Sequence, residues 1–301
     1  MLSGPLAGFE EGCMEIRRRI SARSHDDGID RWEIVEAEPA PALRGRVDRY
    51  SDYREETRSF TTRRELAATC GVLIYALGDP LEIVGADGRS VVVKAGEAFA
   101  GGIADGTSLS RNLGPQAGIH VFLPLQSLAA VVGAPLAEIA NQVAPLRDLI
   151  GPAADDLGGR LCEAQAGEDR FRQLDRFLLG RFAREPERDR TIDFAMTRLA
   201  RVSGQATSEV AREIGWSRRH LARRFRAAIG LSPDRFRRLA RFERFTAAIV
   251  RSPDDSLAGL AAECGYVDQP HLTRDVRDFA GMTPGALRAR LIPAGGGVRH
   301  D

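Results

Sequence analysis

The sequence predicts an α+β chain: a β-rich N-terminal domain of barrel or sandwich type, a helical connector, and an all-α domain built from two helix-turn-helix units. Three observations carry this. The last third repeats one pattern about fifty residues apart: Ala211-Arg212-Glu213-Ile214-Gly215-Trp216 with His220-Leu221, Arg223, Arg226, Gly230 and Ser232-Pro233, then Ala261-Ala262-Glu263-Cys264-Gly265-Tyr266 with His271-Leu272, Arg274, Arg277, Gly281 and Thr283-Pro284. Residues 31 to 124 hold short apolar runs separated by Gly, Asp and Pro, the signature of many short strands. After Pro124 the apolar residues recur at three- and four-residue spacing, as on one face of a helix.

In chain order, residues 1–30 read as a loose tail, with a short basic helix over Met14–Ile20 and a polar loop over Ser24–Asp30. Residues 31–185 form the β-rich domain with its helices. Strands are expected over Trp32–Glu38, Val47–Tyr53, Val72–Leu77, Leu81–Val84, Ser90–Val93 and Gly118–Leu123. Helices follow over Leu125–Val132, Leu136–Val143, Asp155–Ala166 and Asp169–Phe182. In the last, Phe171, Leu174, Leu178 and Phe182 make an apolar stripe that packs on its own domain or on a second subunit. Residues 186–190 read as a linker, 191–292 as the tandem helix-turn-helix domain, and 293–301 as a disordered tail.

Each helix-turn-helix copy follows from local chemistry. Thr207 or Ser208 can cap a first helix that Gly215 ends, since glycine adopts the left-handed conformation at little cost. Ser217 can cap a second helix in which Leu221, Phe225 and Ile229 face inward and Arg219, Ala222 and Arg223 outward. In the second copy Asp268 is the cap, Leu272, Val276 and Phe279 face inward, and Gln269, Thr273 and Arg274 outward. Its turn holds one extra residue. Between the copies Ser232-Pro233 starts and Ser252-Pro253 stops a helix of nineteen residues, roughly 28 Å long. Neighbouring major grooves on one face of B-DNA lie about 34 Å apart, so the rod favours two adjacent grooves.

Residues 191–292 resemble the DNA-binding module of the AraC/XylS family of bacterial transcription regulators. The second copy carries most of the likeness, through Gly265-Tyr266, the run Asp268-Gln269-Pro270-His271-Leu272-Thr273-Arg274 and Gly281-Met282-Thr283-Pro284; it departs at Asp268, Pro270 and Val276, where the family has small polar residues and Phe. The resemblance implies base contacts from Arg219, Ala222 and Arg223 in the first reading helix and from Gln269, Pro270 and Arg274 in the second. Arg can bond both acceptors of guanine and Gln can pair with adenine, while Ala222 and Pro270 offer only apolar contact. Arg218, Arg224, Arg226, Arg237, Arg238 and Arg277 are weaker candidates, for phosphate.

The resemblance also implies partners: double-stranded DNA, RNA polymerase, a small-molecule effector and a second copy of the chain. The N-terminal region resembles, more loosely, the cupin-like domain that family members carry ahead of the module. Its residues leave open whether it senses a small molecule, contacts another protein or only dimerises. Activation is the commoner mode in the family.

Charge agrees with a nucleic-acid partner. The chain is close to neutral at +1, yet Thr191 to Ile292 holds eighteen Arg against eleven Asp and Glu, a net of +7, which leaves −6 for the rest. Chemistry is harder to find. Metal-dependent cupins need several convergent His, and the β region has one, His120, better read as a packed residue. Tyr75, Trp32, Tyr50 and Phe99 could line a ligand cavity, but aromatics in a small barrel are usually core. The four cysteines (Cys13, Cys70, Cys162, Cys264) show no paired spacing, and Cys70 lacks the Pro-Cys-His-Arg setting of alkyl-repair methyltransferases. We therefore expect no enzyme, no metal and no cofactor. With no apolar run of eighteen residues, we expect a cytoplasmic, reduced protein with no membrane partner. The competing reading is a protein-interaction module with a degenerate DNA-binding domain, supported only by Pro270 and Val276.

Overall fold

The computed structural model describes residues 18–184, 190–201, 206–292 and 297–300. The expected helix at Met14–Ile20 falls largely outside these residues, as do Cys13 and most of the linker.

Two sheets form the N-terminal part. The first runs in the order β1 (Ile20–Asp26), β2 (Arg31–Ala37), β3 (Arg49–Glu56), β10 (Gln116–Leu123), β5 (Gly71–Ala76), β8 (Ala98–Gly101), β11 (Val143–Pro145). The second runs β12 (Val298–Arg299), β4 (Thr62–Glu65), β9 (Ser108–Asn112), β6 (Leu81–Val84), β7 (Ser90–Val93). All ladders are antiparallel. The alternation along β10 explains the layering. Ile119, Val121 and Leu123 are fully buried in the same apolar cluster as the helices. The opposite side of the sheet faces the second sheet, and there Ile74 and Phe99 pack with Leu81, Ile83 and Val93.

The helices cover the first sheet. They are α1 (Leu125–Val132), α2 (Leu146–Ile150), α3 (Ala153–Glu163) and α4 (Glu168–Phe182). The α4 stripe packs on its own chain, with Phe171, Leu174 and Leu178 at most 1% exposed and Phe182 at 7%. Polar bonds fix its register: the buried Asp175 carboxylate accepts from Tyr50 Oη at 2.8 Å, and Arg170 bonds Asp52 at 3.0 Å.

Several expectations change. Ile20–Asp26 is a paired strand, so the region expected to be a loose tail extends the sheet instead; all seven of its residues are exposed, and backbone pairing to β2 holds it. Leu136–Val143 is not a helix. A 3-10 turn covers Leu136–Glu138, Asn141 takes a left-handed φ of +61°, and Val143 begins β11. Residues 298–299, expected to be disordered, pair with β4. Tyr50, Tyr75 and Phe99 are core side chains, and Trp32 stacks on His25 with ring centroids 5.7 Å apart.

The C-terminal part is all α: α5 (Arg190–Leu199), α6 (Thr207–Glu213), α7 (Arg218–Ile229), α8 (Pro233–Arg251), α9 (Leu257–Glu263), α10 (Gln269–Ala280) and α11 (Pro284–Arg290). Its core is continuous with that of the first sheet and its helices. No helix among the described residues is long and apolar enough to cross a membrane.

Candidate nucleic-acid interface

The two helix-turn-helix units are α6–α7 and α9–α10. Each second helix starts with a side-chain cap, Ser217 Oγ accepting from His220 N at 3.1 Å and Asp268 Oδ1 from His271 N at 2.7 Å. Gly215 and Gly265 turn left-handed between the helices, at φ +74° and +86°. The first helix of the first unit is capped differently from expectation. Its N-cap is Ala206, whose N–H donates back to Glu209 at 3.0 Å, while Thr207 lies inside the helix and bonds Asp234 of α8 at 2.6 Å.

The apolar stripes fall where the period places them. Leu221, Phe225 and Ile229 on α7, and Leu272, Val276 and Phe279 on α10, are at most 3% exposed. The repeated histidines are packing residues: the His220 ring meets Trp216 at 4.6 Å, and the His271 ring meets Tyr266 at 5.3 Å. That contact accounts for the aromatic residue after each turn glycine.

On the opposite faces Arg219, Arg223, Gln269, Pro270 and Arg274 are exposed, and Ala222 is half-buried. Arg223 Nη2 lies 3.4 Å from His220 Nδ1. Pro270 sits in the first turn of α10, where its missing N–H has no helical acceptor to serve. An open cleft on this face is lined by Gln269, Pro270, Thr273, Arg274, Arg277 and Asp278.

The phosphate candidates divide. Arg224, Arg226 and Arg277 are exposed and Arg237 is half-buried. Arg218 pairs with Asp234 at 3.1 Å. Arg238 is committed elsewhere: its Nε bonds Asp275 at 2.9 Å, a second nitrogen pairs with Asp278, and the group lies over Phe279. It ties α8 to α10 and is not presented to a ligand.

The period-based reading missed Asp275. It is a carboxylate at 0% exposure on the inward face of α10, bonded to Arg238 and, at 2.8 Å, to Arg241 Nη2. The same Arg241 nitrogen stands 2.7 Å from His271 Nε2. A buried charge persists when it is paired and hydrogen-bonded, and this set locks α10 onto α8. Asp at an a/d-like position between Leu272 and Phe279 is the only trace of it in the sequence.

In the β part, His120 lies between Tyr53 (rings 4.7 Å apart) and Phe122. Burial, with Arg63 and Arg49 nearby, pulls its pKa down to about 3, so the ring is neutral and packed. Cys70 is half-buried, and desolvation pushes its thiol up to about 12. Among the described residues no group of three or more His, Cys, Asp or Glu could hold a metal.

Two capped helix-turn-helix units, each with an outward polar and cationic face on its second helix, make up most of the C-terminal part. Residues 210–290 match the model of a helix-turn-helix domain. No curated protein sequence matches the chain. Among solved structures, an apo ToxT variant from Vibrio cholerae strain SCE256 is similar at 10% identity, over 80% of this chain and 97% of that one, with a TM-score of 0.49. ToxT from the same strain with an unsaturated fatty acid bound is similar at 8% identity, over 79% and 96%, with a TM-score of 0.43. An AraC-type DNA-binding-domain protein from Chromobacterium violaceum is similar at 24% identity, over 33% and 90%, with a TM-score of 0.31.

Proposed function

We propose that the protein binds duplex DNA in a sequence-specific way, with α7 and α10 entering two adjacent major-groove segments. The observation that carries this reading is the repeat itself, folded as two units that expose Arg219 and Arg223 on one helix and Gln269 and Arg274 on the other, each opposite a buried stripe. Arg219, Arg223 and Arg274 would bond guanine, Gln269 adenine, and Ala222 and Pro270 would make apolar contact. Arg226, Arg277, Arg224, Arg237 and Arg218 would meet phosphate, Arg218 only after leaving Asp234.

The β part acts in this reading as the regulatory domain, sensing an effector or pairing with a second copy. Its direct bonds to α8 support the role: Thr69 donates to Glu243 through both N–H and hydroxyl, and Asp105 accepts from Arg235 Nε at 2.7 Å. Selection of duplexes from a random pool tests the reading. It expects two short elements about one helical turn apart, bound with a steep loss of affinity as salt rises. Recovery of no shared element with the full chain would favour the interaction-module alternative.

A further inference from the structure

The C-terminal end of α10 rests on the β domain. Helices leave their last carbonyls without intrahelical donors. At this end Gly281 turns left-handed (φ +70°) and its N–H closes onto Arg277 O at 3.0 Å. The neighbouring carbonyl, on the fully buried Ala280, is met by a residue from the other domain: Arg64 Nη1 of β4 donates to it at 3.1 Å. A cation there also faces the negative end of the helix dipole. A Cβ on Gly281 would stand 2.9 Å from the same nitrogen, so the approach is close.

Arg64 is itself held. Its Nη2 lies 3.1 Å from His300 Nδ1. Strand β12 is laid along β4 with Val298 opposite Arg64 and Arg299 opposite Arg63, and Val298 is 0% exposed. His300 N donates to Thr62 O at 3.2 Å. On the other side β12 is tied to the end of α11, through the Leu291–Val298 bridge and Ile292 N to Gly297 O at 3.0 Å. The backbone before and after α11 is therefore fastened to one strand of the β domain. None of these contacts covers Gln269, Pro270 or Arg274, which stay exposed. The first reading helix docks elsewhere: a Cβ on Gly230, at the end of α7, would stand 2.4 Å from Ala140 Cβ and 3.3 Å from Ala137 Cα.

We propose that Arg64, together with β12, is a positioning residue for DNA recognition: it fixes the C-terminal end of α10 on the β domain and so sets where the second reading helix is presented relative to the first. This rests on the reading of α10 as a DNA-reading helix. The docking aids binding, because it orients α10 while leaving its outward face open. Loss of Arg64 strands the buried Ala280 carbonyl and frees one reading helix, not both.

The test uses full-length protein and a duplex selected from a random pool by the wild type, together with versions in which either element is scrambled. For Arg64→Ala we expect about tenfold weaker binding of the intact duplex. Scrambling the element read by α10 should cost this variant little further, while scrambling the other costs it as much as wild type. Arg64→Lys should recover part of the loss, and Val298→Asp, which breaks β12 away without touching Arg64, should reproduce it. Amide exchange supplies a readout free of DNA: residues 278–281 should exchange faster in Arg64→Ala, and the end of α7 should not. Unchanged element dependence, tighter binding, or unchanged exchange overturns the proposal. Wild-type protein that fails to distinguish intact from scrambled duplex refutes the DNA reading instead, and the exchange comparison still decides whether Arg64 holds α10.

Discussion

Removing the Asp275 carboxylate should destabilise the C-terminal part more than any surface charge change. Asp275 is 0% exposed and holds two guanidinium groups, Arg241 at 2.8 Å and Arg238 at 2.9 Å. The two would fare differently in Asp275→Ala. Arg238 keeps its pair with Asp278. Arg241, 9% exposed, keeps His271 at 2.7 Å and its place over the Tyr266 ring, but no carboxylate; burial with the adjacent Arg241 charge lowers the His271 pKa, so neither neighbour offers a counter-charge. Breaking a buried pair and leaving one charge uncompensated costs about 3–5 kcal/mol. The surviving His271 contact and the retained Arg238–Asp278 pair place the expected loss near the lower end, at about 3 kcal/mol. The assay is urea unfolding followed by far-ultraviolet circular dichroism, which reports the helices directly. Asp278→Ala is the control, since its partners are partly exposed; it should cost about 1 kcal/mol or less. A loss below about 1 kcal/mol for Asp275→Ala, or equal losses for the two variants, would refute the reasoning that the buried network locks α10 to α8.

Two glycines that share a left-handed backbone should respond differently to alanine. Gly215 (φ +74°) has open space around its missing Cβ, so Gly215→Ala should cost about 1–2 kcal/mol from backbone strain alone; Gly230→Ala adds a clash with Ala140, and denaturant unfolding should show it as the larger loss. Glu243 should give a pH signature. Its pKa is raised, chiefly by burial and against the hydrogen bonds from Thr69. The unfolded carboxyl then ionises before the folded one, and the Glu243 contribution to stability falls as pH rises from the ordinary 4.5 through the raised value. Glu243→Gln removes that fall, so the variant should gain on wild type above this window and the gap should close below it; a gap independent of pH would contradict the assignment. Asp234 should act in the opposite sense. Its pKa is lowered because hydrogen bonds from Thr207 and Arg218 outweigh burial, so the stability it contributes is present above the usual 3.8 and lost as pH falls through the depressed value. Asp234→Asn should therefore lower stability at neutral pH and converge with wild type in strong acid, as measured by unfolding at a series of pH values.

The helix-turn-helix pair was legible because its determinants are local. Ser217, Asp268, Ser232-Pro233 and the turn glycines act within a few residues, and the observed helices Arg218–Ile229, Pro233–Arg251 and Gln269–Ala280 follow from them. Leu81–Val84 and Ser90–Val93 were legible for the same reason, being β-branched runs around an Asp-Gly turn. The strands that escaped are those whose identity comes from a partner. Thr62-Arg63-Arg64-Glu65 carries three charges in four residues and no apolar alternation, yet it is enclosed between β9 and β12. Ile20–Asp26 is wholly exposed and carries no burial pattern to read. Leu136–Val143 has helical spacing, but Gly102 packs against Ile139, with a built Cβ only 3.1 Å away, and tertiary contact overrides propensity there. Arg238, counted among the phosphate candidates by its position in a basic helix, could be reassigned only once Asp275 and Asp278 were seen beside it. The outward faces of α7 and α10 were legible by period, whereas the contacts of Arg64, Asp105 and Thr69 with the C-terminal part join residues more than a hundred apart in sequence and leave no local mark.

The central claim is that one chain reads two DNA elements with two helices. The most direct measurement is duplex selection from a random pool by the wild type and by Arg223→Ala and Arg274→Ala, at one fixed salt concentration. The account predicts two elements about one helical turn apart for the wild type, with Arg223→Ala relaxing one element and Arg274→Ala the other, each at a cost of about 1–3 kcal/mol for the intact site. A wild-type consensus that both variants recover unchanged would contradict it.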